Sequence, residues 1–469
     1  MSGYRDLTTK PVPVLIRRIA IPASVGYFFN TMFNVVDTFF GGLISTQVVA
    51  ALSLSFPVFF IIIAMGVGVS TGTTALIANA LGAGARKEAR LIAIQGITFG
   101  VLTAIAITLL GCLASPVLFT LLGASDAYLA DSLIYMDTIF IGTVFFMLSY
   151  MMNAILTALG DTKSFRNFLI AGFFMNIVLD PWFIYGGLGL PGLGITGIAL
   201  ATVLVQVMGC LYLGRRVYKT RLIVEKDVKD IFPKLRPFRD IARQGFPASI
   251  SMISVGLGIF VITFFVSKFG KEAVAAYGIA TRVEQIVLLP TIGLNVATLT
   301  IVAQNNGARL FDRITETLNR SLTYGGILMA FGTIAVFAGA APFMDIFTDD
   351  RAVIEIGKVF LRIDSLVFFA YVILFVNVAA LQGVKRPMYA IWLGLARQVV
   401  APVIVFYLLV TVAGCGLLGI WWGIFFITWT AALVTLFYSR FILKKAEVES
   451  RIAAAESSER IPAEKTPIE

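Results

Sequence analysis

Apolar stretches of about twenty residues or more alternate with short polar breaks along the whole chain, without the period-two pattern of strands. Twelve of them are long enough to cross about 30 Å of hydrocarbon as helices. Their centres fall near residues 29, 64, 102, 145, 175, 206, 255, 290, 327, 368, 400 and 428. The pattern predicts an all-α polytopic membrane protein. Several early stretches run past 25 residues, which predicts tilting or protrusion beyond the bilayer.

The pattern repeats. Residues 16–84 and 241–309 align without a gap at a constant offset of 225, sharing 19 of 69 positions. Pro22, Ala23 and Ser24 match Pro247, Ala248 and Ser249, and Gly82 and Ala83 match Gly307 and Ala308. A weaker echo pairs Leu159 and Lys163 with Leu381 and Lys385, and Gly194 and Gly197 with Gly416 and Gly419. Six spans precede the repeat boundary and six follow it, so the second copy enters the membrane in the same direction as the first. Such parallel repeats are related by an axis along the membrane normal and place a substrate path between two pseudo-symmetric six-helix lobes.

The boundaries follow from this division. Residues 1–13 form a cytoplasmic N-terminus, 14–214 an N-lobe of spans one to six, 215–240 an inter-lobe linker, 241–445 a C-lobe of spans seven to twelve, and 446–469 a cytoplasmic tail. The polar stretch Arg215 to Arg243 carries ten Lys or Arg and has room for a surface helix. The tail is rich in Ala, Glu and Ser, which predicts a partly helical or disordered end. No cleavable signal is expected, since thirteen mostly polar residues precede a long first span.

Composition agrees: 58% of the 469 residues are apolar and only 14% charged, and the mean hydropathy is +0.90. The formal net charge of +10 could suggest nucleic acid, but 30 of the 37 Lys and Arg lie at the termini or in even-numbered loops. That asymmetry is the positive-inside pattern, with both termini cytoplasmic, and excludes a nucleic-acid footprint. Cys112, Cys210 and Cys415 are isolated in apolar segments and read as small core residues. There is no His, Walker A sequence, metal-ligand cluster or Gly-x-Ser-x-Gly elbow, so no enzyme and no bound cofactor are expected. Gly66-x-Gly68 fits close helix packing instead.

Two acids stand out against this background. Asp37 lies well inside span one, but its counterpart in the second copy is Ile262, and Asp180 falls opposite Ala401. A carboxylate in hydrocarbon costs at least ~2.5 to 3.5 kcal/mol, so each should be protonated, ion-bound or facing a polar cavity. Asn30 and Asn34 lie near Asp37 on a related face, Asn176 sits one turn before Asp180, and Thr202 and Gln206 share a face of span six. Tyr135 and Asn153 come from span four. Oxygens from several helices around two carboxylates suit a proton relay or a small hard cation such as Na⁺, held at Asp37 and Asp180. Pro22 and Pro247 occupy matched positions near the starts of spans one and seven, remove one backbone donor each, and are candidate bend points. The C-lobe has a separate charge network of Arg282, Glu284, Asp364 and Arg397, with Arg362 beside it, in which Glu284 and Arg397 are expected to pair.

Asp37 in Asn34-Val-Val-Asp-Thr-Phe, the turn Leu159-Gly-Asp-Thr-Lys163, the segment Asn176 to Pro181 and Ala199-Leu-Ala-Thr202 together resemble the multidrug and toxic compound extrusion (MATE) family, in detail its DinF-like branch. The resemblance spans nearly all twelve helices. It implies a V-shaped two-lobe exporter in a prokaryotic cell membrane, exchanging H⁺ or Na⁺ for organic, often cationic, compounds by alternating access. Asp37, Asn176, Asp180 and Thr202 match the family's amino-lobe cation site, Pro22 its hinge proline, and Asn153 and Tyr135 positions lining the substrate cavity. Span seven lacks the acid of the NorM-like branch. The implied partners are the lipid bilayer and small amphiphilic cations, with no nucleic acid, and the chain is expected to act as a monomer. The alternative within the same superfamily is a flippase for a lipid-linked saccharide, which would favour an Arg-rich cavity.

Overall fold

A single extended residue, Ser45, separates the first two long helices and caps the second, its hydroxyl accepting from the Val48 amide at 3.1 Å. The break is that small because the apolar run around it is long enough for two membrane crossings. In the computed structural model, which describes residues 6–121, 123–124, 126–187, 189–224 and 228–459, the chain is almost entirely helical. The first six spans are Val12–Ile44, Thr46–Gly82, Arg86–Leu121, Asp126–Ala158, Lys163–Tyr185 and Ile195–Lys219. Spans seven to nine are Leu235–Ser267, Lys271–Gly307 and Phe311–Ala338. Span ten is the pair Arg351–Ser365 and Phe368–Gly383, bent by 49° between its halves. Span eleven is Met388–Val412 and span twelve Gly416–Glu459. A short helix, Asp6–Thr9, precedes them all.

The bend in span ten has its carbonyls covered. Thr333 donates to the Ser365 carbonyl at 2.7 Å and the Trp429 indole to the Leu366 carbonyl at 3.1 Å, so the interrupted ladder leaves neither exposed to hydrocarbon. Pro22 and Pro247, by contrast, sit inside helices that run on without a break.

The repeats meet along spans one, two, seven and eight, with matching contacts on either side of the interface. A Cβ at Gly68 would strike Ser249, and a Cβ at Gly293 would strike Ser24. Both members of each pair are 225 positions from their counterparts, so one contact is the symmetry mate of the other. Nearer the end that carries the N-terminal helix the backbones come closest: Gly82 lies on the Gln304 carbonyl and Gly307 on the Asn79 carbonyl. Only glycine allows that approach, as small residues do wherever membrane helices pack without a hydrophobic force between them. Toward the opposite end each repeat packs on itself. Val48, Ala51, Ile139 and Ile198 form one core, while Phe265, Ala276, Tyr277, Phe360 and Trp421 belong to another.

The register of the repeat is one point where the sequence echo needs correction. Span four ends with Gly160 N–H on the Thr157 carbonyl and Asp161 N–H on the Leu156 carbonyl; span ten ends with Lys385 N–H on Gln382 and Arg386 N–H on Leu381. Leu156 therefore corresponds to Leu381 and Gly160 to Lys385, keeping the offset of 225 rather than the shorter one suggested by Leu159 and Lys163. Both cap residues take the left-handed conformation, φ 78° at Gly160 and φ 62° at Lys385.

The segment between the lobes is shorter than its polar composition suggests. Helix continues to Lys219, resumes at Leu235, and leaves one helical turn at Val228–Asp230; residues 225–227 lie outside the described part. Gln95, buried on span three, holds the segment, its amide donating to the Asp230 and Phe232 carbonyls at 2.6 and 2.8 Å and its oxygen accepting from Lys234 N–H at 2.8 Å. Span twelve continues as one helix to Glu459, and the remainder of the expected tail, 460–469, is outside the described residues, as are residues 1–5. Cys210 is buried, as expected, but Cys112 and Cys415 are exposed and are not core residues.

Candidate functional site

Three helices of the first repeat converge on Asp37. Spaced one turn apart on span five, Asn176 and Asp180 share a face, which is the face that packs against spans one and six. The Asn176 amide donates one hydrogen to Asp37 Oδ1 and the other to Asp180 Oδ2 at 2.9 Å. From span six, Thr202 reaches Asp37 Oδ2 at 3.4 Å while also donating to its own Ile198 carbonyl at 3.1 Å. Asp37 is 8% exposed, and Asn176 and Asp180 are fully buried.

One amide thus serves two carboxylates. Asp180 Oδ1 and Asn176 Oδ1 have no protein partner. Two acids and an amide oxygen form a buried acceptor-rich cluster with a deficit of donors, and a cation or proton between them would complete it. No group of three or more His, Cys, Asp or Glu arranged around a metal is present among the described residues, so the oxygens available to a hard ion are those of the two acids, Asn176 and Thr202.

Next to this cluster is a small cavity of about 50 Å³, lined by Asn30, Asn34, Asp37, Thr202 and Gln206 among polar residues. Its apolar wall includes Phe33, Phe59, Phe146 and Phe168. The structure thus brings together seven of the residues singled out from the sequence, five on the cavity wall and Asn176 and Asp180 behind Asp37. It does not place Tyr135 or Asn153 on the cavity wall: Tyr135 is buried at 6% exposure, and Asn153 accepts from the Thr157 hydroxyl at 3.1 Å within its own helix. Span four contributes Phe146 and Tyr150 instead. The polar tip of Tyr150 on an apolar helix was a signal available in the sequence, but only the turn of span four decides which of its residues faces the cavity.

Three of the C-lobe charges, Glu284, Asp364 and Arg397, gather around Tyr371 rather than in direct ion pairs. Glu284 and Arg397 make no direct ion pair but share Tyr371 between them: the Tyr371 hydroxyl donates to Glu284, and the Arg397 guanidinium lies over the Tyr371 ring, 5.3 Å from the centroid, where span eleven loosens into a π turn at Ala396–Val400. Arg282 is exposed, and Arg362 covers the Phe337 ring at 5.6 Å. Asp364 is buried at 2% exposure with one carboxylate oxygen lacking a partner. A long cationic side chain can be satisfied by an aromatic face, and charge counting along a sequence does not register that option.

Known proteins share both the sequence and this architecture. The MatE family matches residues 22–182 and 247–408, one segment in each repeat. A probable multidrug resistance protein NorM from Thermotoga maritima is 28% identical over 414 residues, covering 87% of each chain. An FAD transporter from Shewanella oneidensis is 26% identical over 399 residues, covering 85% of this chain and 88% of its own. The solved structure of a MATE protein in the bent conformation superposes with a TM-score of 0.90 at 25% identity, covering 96% of this chain and 99% of that one. With twelve spans in two repeats and a family match across most of both, this chain belongs to the MatE family of membrane transporters.

Proposed function

We propose that the protein is a secondary active exporter that exchanges H⁺ or Na⁺ for small organic, cationic compounds, and that Asp37, Asn176, Asp180 and Thr202 carry the coupling. The observation that carries this reading is the Asn176 amide shared between Asp37 and Asp180 in only one of two repeats. Uptake of one ion or proton from outside lowers the negative charge of that pair by one. Spans one, five and six then repack, and bound compound loses its place in the cavity lined by Asn30, Asn34 and Gln206. Release of the ion to the cytoplasm restores the first state. Pro22, near the cytoplasmic start of span one, is where that helix bends as Asp37 changes charge. Both termini are cytoplasmic, in keeping with the distribution of Lys and Arg.

The joined glycine crossings at one end and separate cores at the other support alternating access, in a state closed at the end carrying the termini. At about 50 Å³ the site has room for the ion and water but no drug-sized molecule, so compound binding requires an opening of the lobe. One charge moving down 100 mV supplies about 2.3 kcal/mol, enough for a modest gradient of cargo.

The test is efflux of a fluorescent organic cation from liposomes holding the purified protein, with pH and Na⁺ gradients imposed separately and Asp37→Asn as control. Gradient-driven efflux lost in the variant is expected. Undiminished coupled efflux by Asp37→Asn would remove the proposal. A second reading, export of an anionic flavin dinucleotide, draws on the FAD transporter among the relatives; FAD added as competitor distinguishes it, although the acids of the cavity disfavour an anion.

A further inference from the structure

A second cavity lies away from the acid cluster, at the end of the bundle where the two repeats close. It measures about 1010 Å³ and takes its walls from both repeats, with Leu76, Lys87 and Arg90 on one side and Arg236, Arg243, Gln244, Lys385, Tyr389 and Tyr438 on the other. Its six cations, Lys87, Arg90, Arg236, Arg243, Lys385 and Arg386, outnumber its three acids, Glu88, Asp230 and Asp240. Asp230 is engaged by Arg90 at 3.7 Å and Lys234 at 2.7 Å, and Arg386 meets Glu449 at 3.6 Å. Lys87, Arg236, Arg243 and Lys385 form no ion pair among the described residues. Gln244, only 7% exposed, donates to the Lys385 carbonyl at 3.3 Å but leaves its own oxygen without a partner.

The internal symmetry shows what fills the corresponding space in the other half. The counterparts of Arg243, Gln244 and Lys385 are Arg18, Ile19 and Gly160, and there the N-terminal helix plugs the groove. Leu7, 2% exposed, lies where a side chain on Gly160 would stand, 3.2 Å from that position. Asn305 and Arg313 donate to its carbonyl at 3.0 and 3.4 Å, and Arg313 to the Lys10 carbonyl at 2.7 Å. Among the described residues no such plug forms in the second half, where Gln95 holds the chain before span seven against span three. The groove stays open, and Lys385 keeps a cationic side chain in the left-handed conformation that its counterpart fills with glycine.

The open groove also reaches the lipid-facing surface. Met388 and Tyr438, both on its wall, are 48% and 39% exposed on spans eleven and twelve, and Tyr438 stacks on Tyr389 with ring centroids 4.3 Å apart. Tyrosines at this level mark the boundary between headgroup and hydrocarbon. A site with cations at one side, an apolar and aromatic rim at the other and a buried acceptor suits a phosphate on an amphiphile. Basic pockets between spans on the cytoplasmic side recognise such headgroups.

We propose that this cavity binds the headgroup of an anionic phospholipid, the phosphate meeting Arg236, Arg243 and Lys385, and a headgroup hydroxyl donating to Gln244. Because the walls come from both repeats, an occupied cavity favours the arrangement in which these ends are together.

The experiment is native mass spectrometry of the purified full chain in detergent, titrated with phosphatidylglycerol, phosphatidylcholine and glycerol 3-phosphate. Phosphatidylglycerol is expected to bind at least about tenfold tighter than either of the others. Combined Arg236→Gln, Arg243→Gln and Lys385→Gln should abolish that preference, and Gln244→Leu should weaken it several-fold. A second triple variant, Lys163→Gln, Arg215→Gln and Lys444→Gln, removes equal charge from exposed positions outside the cavity and should leave the preference intact. Melting of each variant in lipid-free detergent checks that it folds. Equal loss in both triple variants would assign the effect to surface charge and overturn the site. Glycerol 3-phosphate binding as tightly as the lipid would overturn the lipid assignment in favour of a soluble phosphomonoester, and phosphatidylcholine binding equally would overturn the anion preference.

Discussion

Asn79 and Gln304 make the same hydrogen bond across the repeat interface in opposite directions. The Asn79 amide donates to the Gly383 carbonyl at 2.8 Å, and the Gln304 amide to the Ala158 carbonyl at 2.7 Å. Donors and acceptors alike are 225 positions apart, and both amides are buried. Each therefore fastens the end of one repeat's second helix to the end of the other repeat's fourth. A buried hydrogen bond lost on one side leaves a carbonyl without a donor, at a cost of roughly 1 to 3 kcal/mol. Asn79→Ala and Gln304→Ala are each expected to raise the population opened at this end by about tenfold, read as faster labelling of a cysteine placed at Ala303. Unchanged labelling in both variants would show that these amides do not hold the end closed.

The glycine crossings lead to a prediction about stability that uses the symmetry itself. Gly82→Ala pushes a methyl group into the Gln304 backbone, and Gly307→Ala does the same at Asn79. Neither neighbour is a flexible side-chain tip, so strain cannot be relieved locally, and overpacking of this kind costs about 1 to 3 kcal/mol. The two variants should lower the melting temperature by similar amounts. Gly84→Ala, where a Cβ would meet nothing but φ is 73°, should show only the smaller penalty of a left-handed backbone.

Twelve spans and the repeat were legible in the sequence because both are long-range properties of apolar patterning that no single contact decides. Asp37, Asn176, Asp180 and Thr202 were legible too, since an acid in hydrocarbon needs polar company and the one-turn spacing of Asn176 and Asp180 fixes a shared face. Other features depend on helix rotation, which hydropathy does not encode. Tyr150 rather than Asn153 faces the cavity for that reason, and Arg397 and Glu284 meet through Tyr371 rather than directly. The plugged groove under Leu7 and the open one under Lys385 were hidden for a further reason: the segments preceding spans one and seven share no pattern, and their divergence shows only in three dimensions.

Gln95 is a buried glutamine that satisfies three backbone groups of the inter-lobe segment. Gln95→Leu keeps the side chain's bulk but strands two carbonyls and one amide, which should release the segment from span three. Limited proteolysis between residues 219 and 235 is the direct measurement, with cleavage at least about tenfold faster expected in the variant, as local opening loses roughly 1 to 3 kcal/mol of protection. Equal cleavage rates would mean that packing elsewhere holds the linker.

The amide between the two acids leads to a test separate from deleting either acid. Asn176→Leu leaves Asp37 and Asp180 in place but removes the group that holds both. If the pair acts as one ion-coupling unit, coupled efflux in liposomes should fall at least about tenfold, in line with a loss of about 1.4 kcal/mol or more. Ile262→Asp puts an acid at the matched position of the second repeat, where the offset of 225 sets Ala401 at the position of Asn176 and Val405 at that of Asp180. Without an Asn176 equivalent to hold it, that acid costs about 2.5 to 3.5 kcal/mol in the membrane and should not restore efflux to Asp37→Asn. Rescue by Ile262→Asp would show that any carboxylate at this depth suffices, and the shared amide would then lose its role in coupling.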